Sequence, residues 1–230
     1  NFWKEARMKW HRALGFPDGK HRFHDHLKLA HYANAACDIE FEFPFGFKEL
    51  EGIHSRTDFD LGNHEKFSGK KLQYFDPELN QNYVPYVVET SIGLDRMFLA
   101  VLSTAYAEEQ LEDGSERVVL RIPPFLAPIK CAVLPLVKKD GLPEKAREIM
   151  DRLKFDHLCV YEEKDSIGKR YRRMDAIGTP FCITVDHDSI EQNTVTLRDR
   201  DSMQQERVSI DRLPEIVGEK VDMRKALRGL

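Results

Sequence analysis

The fold class can be inferred from residues 130–137, which read KCAVLPLV. A continuous apolar run of this kind is typical of a β-strand that is buried on both faces, as in a parallel sheet. Helical and strand patterns alternate after it, and we predict a helix at 143–153, a strand at 158–161, a helix at 166–176 and a strand at 180–185. This order indicates parallel strands joined by right-handed crossovers. Strands at 194–198 and 206–210 are expected to add at one edge, before a helix that starts at Asp211.

The region upstream of residue 123 has a different organisation. Amphipathic spacing predicts helices at 4–14, 25–36 and 91–107. Strands are predicted at 39–43, 83–89 and 118–122, the last after a turn at 112–115, and a polar stretch occupies 57–71. Pro123, Pro124 and Pro128 mark a junction. We therefore predict an α/β chain of two domains, residues 1–122 and 123–230.

Composition limits the class of protein. The chain has 41% hydrophobic and 32% charged residues, and no apolar run reaches the roughly 20 residues that a membrane span needs. Its four cysteines form no CxxC pair, so buried reduced thiols in a cytosolic protein are expected rather than a zinc ribbon. The net charge of -4 excludes a generally basic nucleic-acid binder, so any RNA contact must come from a local patch. Because the first residues, NFWKE, hold neither an initiator Met nor a signal peptide, the sequence is expected to be part of a longer protein.

Residues 87–96, VVETSIGLDR, predict a strand, a tight turn and the first turn of a helix. Arg96 near a helix N-terminus opposes the helix dipole, so it contributes nothing to helix stability there. It is well placed if an anion binds at that N-terminus, where Gly93 lets a ligand approach the backbone and Glu89 offers a carboxylate to a cation. The alternative is a surface ion pair of Arg96 with Asp95 or Glu89, and spacing alone favours that alternative.

A second charged segment lies at residues 49–56, ELEGIHSR. Strand alternation predicts that Glu49 and Glu51 point to one face, where two carboxylates require a compensating cation. Arg56 follows closely. The alternative interpretation is a solvated edge strand, and it has most of the weight when the segment is considered alone.

Several motifs resemble those of glycyl-tRNA synthetases of the dimeric class II type. They are DIEF (38–41), ELEGI (49–53), RTDFDL (56–61), VPYVVE (84–89) and GLDR (93–96). The second half resembles the anticodon-binding domain of class IIa synthetases through APIK (127–130), SIGKRYRR (166–173) and GTPF (178–181). The resemblance covers nearly the whole chain in order. It implies that residues 1–122 are the end of an antiparallel-sheet catalytic domain and residues 123–230 a mixed-sheet anticodon-binding domain.

The resemblance also implies roles for individual residues. Gly93–Arg96 corresponds to class II motif 3, and the implied ATP-binding residues are Glu49, Leu50, Gly93, Leu94, Asp95 and Arg96, with Arg96 also catalytic. The implied glycine-binding residues are Arg56, Glu89, Thr90, Ser91, Ile92 and Gly93, with Glu89 receiving the substrate ammonium group. Glycine selection fits this set, because an amino acid without a side chain is recognised through its ammonium group and through steric exclusion of larger substrates.

The implied reaction is glycine–tRNA ligation: ATP activates glycine, and the glycyl group is then transferred to tRNA(Gly). ATP, Mg²⁺, a homodimer and a cytoplasmic location are implied with it. We assign no metal site to protein side chains. Neither motif 1 nor motif 2 of the family is recognisable, so the 230 residues alone are expected not to form the adenylate. The rival hypothesis is a non-catalytic, synthetase-like accessory protein that binds nucleic acid.

Two further clusters have open interpretations. Lys169, Arg170, Arg172 and Arg173 are candidates for gripping tRNA phosphates, or form a solvated helix face. Tyr171 is either a base-stacking residue or part of the core. The histidines of the segment His21–His31 match no standard metal-ligand spacing, so packing or capping is preferred over metal binding.

Overall fold

A computed structural model describes residues 1–228 as two compact units. The first contains residues 1–12 and 16–103, and the second contains residues 13–15 and the chain from Thr104 on. The predicted domain boundary between residues 122 and 123 stays a prediction. No helix in the described part of the chain is long and apolar enough to cross a membrane.

The helices and strands have the following bounds. The helices are α1 (Phe2–Ala13), α2 (Phe59–Ser68), α3 (Leu94–Ala105), α4 (Leu142–Leu153), α5 (Ile167–Ala176), α6 (His187–Glu191), α7 (Leu213–Val221) and α8 (Met223–Leu227), with a 3-10 turn at Ile210–Arg212. The strands of the first unit are β1 (His21–Asp25), β2 (Ala35–Phe43), β3 (Gly46–Ser55), β4 (Tyr74–Asp76), β5 (Gln81–Tyr83) and β6 (Val88–Ile92). Those of the second are β7 (Tyr106–Gln110), β8 (Glu116–Leu120), β9 (Cys131–Pro135), β10 (Cys159–Tyr161), β11 (Phe181–Val185), β12 (Thr194–Asp199) and β13 (Gln205–Ser209).

The first unit contains a four-stranded antiparallel sheet in the order β1-β2-β3-β6. Alternation along β2 separates its two faces: Cys37, Ile39 and Phe41 are buried, whereas the residues between them are only partly buried. Helix α1 packs on the apolar face, where Arg7 and His11 bond to Glu51. The opposite face is polar, and its residues are described with the site below.

The predicted helix at 25–36 is wrong. Asp25 ends β1, Ala35 begins β2, and the His26 amide donates to the Ala36 carbonyl at 3.0 Å. Leu27, an apolar position of the supposed helix, is fully exposed. The pairing of β1 with β2 therefore outweighs the helical spacing of the apolar residues at 25–36, and a helix there would have no core to pack against. The polar stretch 57–71 contains α2, and the strand predicted at 83–89 lies further along as β6.

Strand β3 has a bulge at Leu50. Ile39 pairs with Glu51 and Glu40 pairs with Glu49, so Leu50 has no partner on β2. Because Ile39 and Glu40 point to opposite faces, Glu49 and Glu51 do so as well. The prediction that the two carboxylates share a face is therefore wrong: Glu51 is buried beneath α1 and Glu49 is exposed on the polar face.

The second unit contains the predicted mixed sheet, in the order β10-β9-β11-β12-β13. Strand β9 is parallel to both β10 and β11, and β12 and β13 add antiparallel at the edge. All five residues of β9 and all five of β11 are buried, as expected for central strands covered on both faces. The main core lies between this sheet and helices α4 and α7. The predicted α/β architecture with antiparallel and mixed sheets is confirmed.

A hairpin of β7 and β8 is tied to α5 by a buried charge cluster. Asp175 is fully buried and lies within 3.0 Å of guanidinium nitrogens of both Arg117 and Arg198. Gly178, which follows α5, has a φ of +81°, and a Cβ atom there would lie 3.1 Å from the Ile122 side chain. This close approach explains why glycine occupies the position.

Candidate functional site

Two segments predicted to bind a nucleotide converge on one cleft of the first unit. Glu49, Leu50 and residues 91–96 line an open cleft of about 660 Å³. The Arg96 guanidinium spans it, since Nη1 donates to the Glu49 carbonyl at 2.7 Å and lies 3.3 Å from the Glu49 carboxylate. Asp95 and Glu89, the partners considered from spacing alone, do not form this ion pair.

The turn between β6 and α3 positions Arg96. The first bond of α3 runs from the Met97 amide to the Gly93 carbonyl at 2.9 Å, so the amides of residues 94–96 face away from the helix without internal partners. These amides and the exposed Arg96 side chain lie together at the helix N-terminus. Backbone amides, helix dipole and guanidinium together favour a negatively charged ligand.

Glu89 is held by an arginine. Arg56 Nη1 donates to the Glu89 carboxylate at 2.8 Å, while Nη2 donates to Asp60 at 3.0 Å and the guanidinium lies 4.1 Å from the centre of the Tyr32 ring. The Asp60 hydrogen bond raises the pKa of Arg56, and the same bond lowers the pKa of the Asp60 carboxyl. Two carboxylates, those of Asp60 and Glu89, therefore share one guanidinium, and such an acidic group suits a cationic ligand beside Glu89.

Glu89 and Ser91 lie on the same face of β6, because side chains two residues apart on a strand point the same way. Ser91 lines the cleft with Arg96, whereas Glu89 lies one pleat further along and does not line it. On the neighbouring strand Ser91 pairs with Gly52, and Glu89 pairs with His54. A Cβ atom on Gly52 would lie 3.3 Å from the His54 ring, so glycine keeps the floor beside Ser91 open.

Sequence reasoning missed three residues of this polar face: Asp38, Glu40 and His54. Asp38 pairs with Gly52 across β2 and β3 and is bonded to His26 at 2.8 Å. Glu40 pairs with Glu49. The alternation of polar and apolar residues in DIEFEF, residues 38–43, is the signal that would have revealed this face.

A second chamber adjoins the cleft and was also missed. It has a volume of about 390 Å³, shares Glu49 and Arg96 with the cleft, and is otherwise lined by Phe43, Phe45, Lys48 and Leu99. The Phe43 and Phe45 rings are stacked, with centroids 5.2 Å apart and planes 2° apart. Phe43 is buried, so the accessible apolar surface comes from Phe45 and Leu99, and its position beside a guanidinium suits a flat aromatic group attached to an anion.

The histidines of the segment His21–His31 serve in packing and ion pairs: His26 lies 2.8 Å from the Asp38 carboxylate, and the His31 ring packs 5.2 Å from the Phe59 ring. His11 Nε2 donates to Glu51 at 2.8 Å beneath α1, and burial lowers the pKa of its neighbour His21 to about 4. Burial opposes ionisation of Glu51, yet hydrogen bonds from His11 and Arg7 hold its pKa below the usual value. Among the described residues, no group of three His, Cys, Asp or Glu side chains is arranged to hold a metal ion.

The basic residues of α5 differ in their surroundings. Arg170 is buried, and its guanidinium donates to the carbonyls of Pro135, Leu136 and Glu162. Arg173 is bonded to Asp165 at 3.0 Å. Lys169 is exposed and Arg172 partly exposed, and both project from the helix.

Tyr171 belongs to the core of the second unit. Its hydroxyl lies 2.6 Å from the Thr184 hydroxyl, and the Arg198 guanidinium covers its ring at 4.7 Å. It also packs against the buried residues around Met174. The core interpretation of Tyr171 is therefore favoured over base stacking.

Comparison with known proteins agrees with the sequence resemblance. Residues 130–220 match the family described as anticodon binding domain. The protein named glycine–tRNA ligase in Chlorobaculum tepidum is 52% identical over 220 residues, which are 95% of this chain and 47% of that protein. Proteins of the same name in Borrelia hermsii and Treponema denticola are each 52% identical, over 92% and 90% of this chain and 49% and 48% of their own lengths. The resemblance is confirmed, and the chain spans about half the length of the curated relatives it matches.

Proposed function

We propose that this chain supplies part of the catalytic site and the anticodon-binding domain of a glycine–tRNA ligase. Such an enzyme joins glycine to tRNA(Gly) in two steps. The glycine carboxylate attacks the α-phosphate of ATP to give glycyl-adenylate and pyrophosphate, and a ribose hydroxyl at the tRNA terminus then takes the glycyl group. Positioning and charge stabilisation supply most of the rate in such reactions.

The observation that carries the proposal is the convergence of Glu49, Ser91 and Arg96 on one cleft. These residues come from segments about 40 positions apart in sequence. A guanidinium, free helix amides and an adjoining chamber with stacked phenyl rings complement a nucleotide, with the phosphates at Arg96 and the base near Phe43 and Phe45. A protein that only binds RNA has no need of this arrangement.

Glycine is proposed to bind on the polar face beside the cleft. The Glu89 carboxylate receives the ammonium group, and Arg56 fixes the orientation of that carboxylate through the 2.8 Å bond. Gly52 opposite Ser91 leaves room for a small substrate, and the neighbouring His54 limits that room. Thr90 and Ile92 point to the opposite face of β6, so they support the glycine site through the backbone.

ATP is proposed as the substrate that contacts Glu49, Leu50 and residues 93–96. Mg²⁺ stays in the proposal as the ion that accompanies ATP. Among the residues that the structure describes, no group of three His, Cys, Asp or Glu side chains could hold the ion by itself.

The second unit is proposed to bind tRNA(Gly). The match of residues 130–220 to anticodon binding domains supports this proposal. We place phosphate contacts at Lys169 and Arg172, which project from α5, and we leave out the buried Arg170. Arg173 remains a weaker candidate because Asp165 neutralises it. A homodimer, a cytoplasmic location and a functional boundary near residue 122 complete the proposal.

The decisive experiment is aminoacylation of tRNA by the whole enzyme with glycine, alanine and serine as competing substrates. We expect charging with glycine in strong preference to the other two. Preferential charging with alanine or serine would refute the specificity, and binding of tRNA without any charging would favour the non-catalytic accessory protein. The 230 residues alone are expected to show no glycine-dependent pyrophosphate exchange, because they span about half of the relatives' length.

A further inference from the structure

Two cysteine thiols meet inside the second unit. Cys131 is the first residue of β9 and Cys159 is the first residue of β10, and the two are register partners in the parallel ladder. Their sulfur atoms lie 3.2 Å apart. Neighbouring strands of a sheet are about 4.8 Å apart, and the Cα atoms of two disulfide-bonded cysteines are usually about 4.4–6.8 Å apart. Register partners on neighbouring strands therefore meet the distance requirement for a disulfide. A bond between the two sulfurs therefore requires only a small movement of the side chains.

The two thiols differ in access. Cys131 is fully buried in the main core, whereas Cys159 is partly exposed and lies on β10, the edge strand of the sheet. The hydrogen bond between the thiols raises the pKa of Cys131 and lowers that of Cys159. Because Cys159 is the more accessible thiol, we expect a small oxidant to reach it first, and the Cys131 sulfur is already in contact with it.

We propose that Cys131 and Cys159 are a redox-active pair that hydrogen peroxide converts to a reversible disulfide. Cys159 sulfur attacks one peroxide oxygen, the O–O bond breaks, and a sulfenic acid forms on Cys159 as hydroxide leaves and takes up the thiol proton as water. Cys131 sulfur then attacks the Cys159 sulfur, the S–O bond breaks, and water leaves with the Cys131 proton. The two thiols lose two electrons in total, peroxide is reduced to two waters, and an external dithiol reverses the change.

The other two cysteines provide internal controls. Cys37 and Cys182 are 3% and 1% exposed, and neither has a sulfur partner among the described residues. Burial raises the pKa of Cys182 to about 12. Both are expected to react with peroxide roughly tenfold or more slowly than Cys159.

The test is a peroxide time course on the native 230-residue chain, with thiols counted after denaturation and peptides mapped by mass spectrometry. We expect the thiol count to fall from four to two, with a cross-linked peptide pair that contains Cys131 and Cys159 and disappears with dithiothreitol. Cys131→Ser should accumulate a sulfenic or higher acid on Cys159 and form no cross-link. Cys182→Ser should behave as the unmodified chain does.

Three results would overturn the inference. They are oxidation of Cys159 to a sulfinic acid while Cys131 stays a free thiol, loss of Cys37 or Cys182 at the rate of Cys159, and a cross-link that forms only in denaturant. Because the unmodified chain provides the main readout, poor folding of a serine variant does not affect the test. The outcome is independent of tRNA or glycine binding, so it is separable from the proposed function.

Discussion

Replacement of Asp175 by asparagine should strongly destabilise the second unit. Asp175 is the carboxylate that two buried guanidiniums share: Arg198 donates to it at 2.8 and 3.0 Å, and Arg117 Nε lies 3.0 Å away. The side chains of Asp175 and Arg117 are 0% exposed and that of Arg198 is 4% exposed. Asparagine keeps the shape of the side chain but takes the carboxylate away from the buried Arg198 guanidinium and leaves Arg117 with Glu109 alone, at 3.3 Å. Removing one partner of a buried ion pair costs about 3–5 kcal/mol, and we expect a loss in that range.

Asp165→Asn is the matched control. Asp165 pairs with Arg173 at 3.0 Å, but both side chains are 38% exposed, so its loss should cost about 0–1 kcal/mol. Hydrogen exchange of the β9 and β11 amides, read by mass spectrometry, reports the opening free energy of the second unit. Tryptophan fluorescence does not, because Trp3 and Trp10 both lie in the first unit. Equal protection of β9 and β11 in the two variants would refute the reasoning about the buried cluster.

Three further predictions concern pH, substrate and tRNA. The pKa of His21 is about 4 in the folded first unit and about 6.5 in the unfolded chain, so the free energy of unfolding should fall by up to about 3 kcal/mol as the pH drops through this window. Urea unfolding followed by tryptophan fluorescence should show a smaller pH-dependent fall in His21→Asn, and a fall equal to that of the unmodified chain would contradict the assignment. Glu89→Gln in the whole enzyme should raise the KM for glycine by about 10–100-fold through loss of a charged hydrogen bond, and an unchanged KM in steady-state charging would exclude an ammonium contact. Lys169→Ala should weaken tRNA binding and reduce its salt dependence without lowering the melting temperature, whereas the main effect of Arg170→Ala should be a lower melting temperature. The two variants are compared by calorimetry and filter binding, and exchanged effects would contradict the placement of these side chains.

Much of the second unit was predictable because its strands carry their own signal. The apolar run at 130–137 predicts a strand that is buried on both faces of its sheet. The helices that connect the strands then favour parallel pairing. In the first unit, the strand–turn–helix at residues 87–96 was also foreseen, since Gly93 and the spacing of α3 are local features. The grouping of Glu49 with Arg96 rested on the family resemblance, because residues 47 positions apart carry no local sign of contact.

The errors share a physical cause, which is that partners distant in sequence decide the outcome. The bulge at Leu50 exists only in relation to β2, so strand alternation alone placed Glu49 and Glu51 on one face. The helix predicted at 25–36 lost to pairing between β1 and β2. Arg170 has basic neighbours in sequence, yet it is buried and its guanidinium donates to the carbonyl groups at the C-terminal end of β9. No local sequence pattern predicts that backbone carbonyl groups will accept hydrogen bonds from a buried charged side chain.

Glycine-dependent ATP–pyrophosphate exchange by the whole enzyme with Arg96→Ala tests the proposed cleft most directly. Loss of a charge-assisted contact of about 1.5–3 kcal/mol predicts a fall of at least roughly tenfold in kcat/KM for ATP. Arg12→Ala is the control: it removes from α1 an exposed guanidinium that is bonded to Asp18, and it should leave the exchange rate unchanged. Exchange by Arg96→Ala at the rate of Arg12→Ala would contradict the assignment of this cleft to the adenylate.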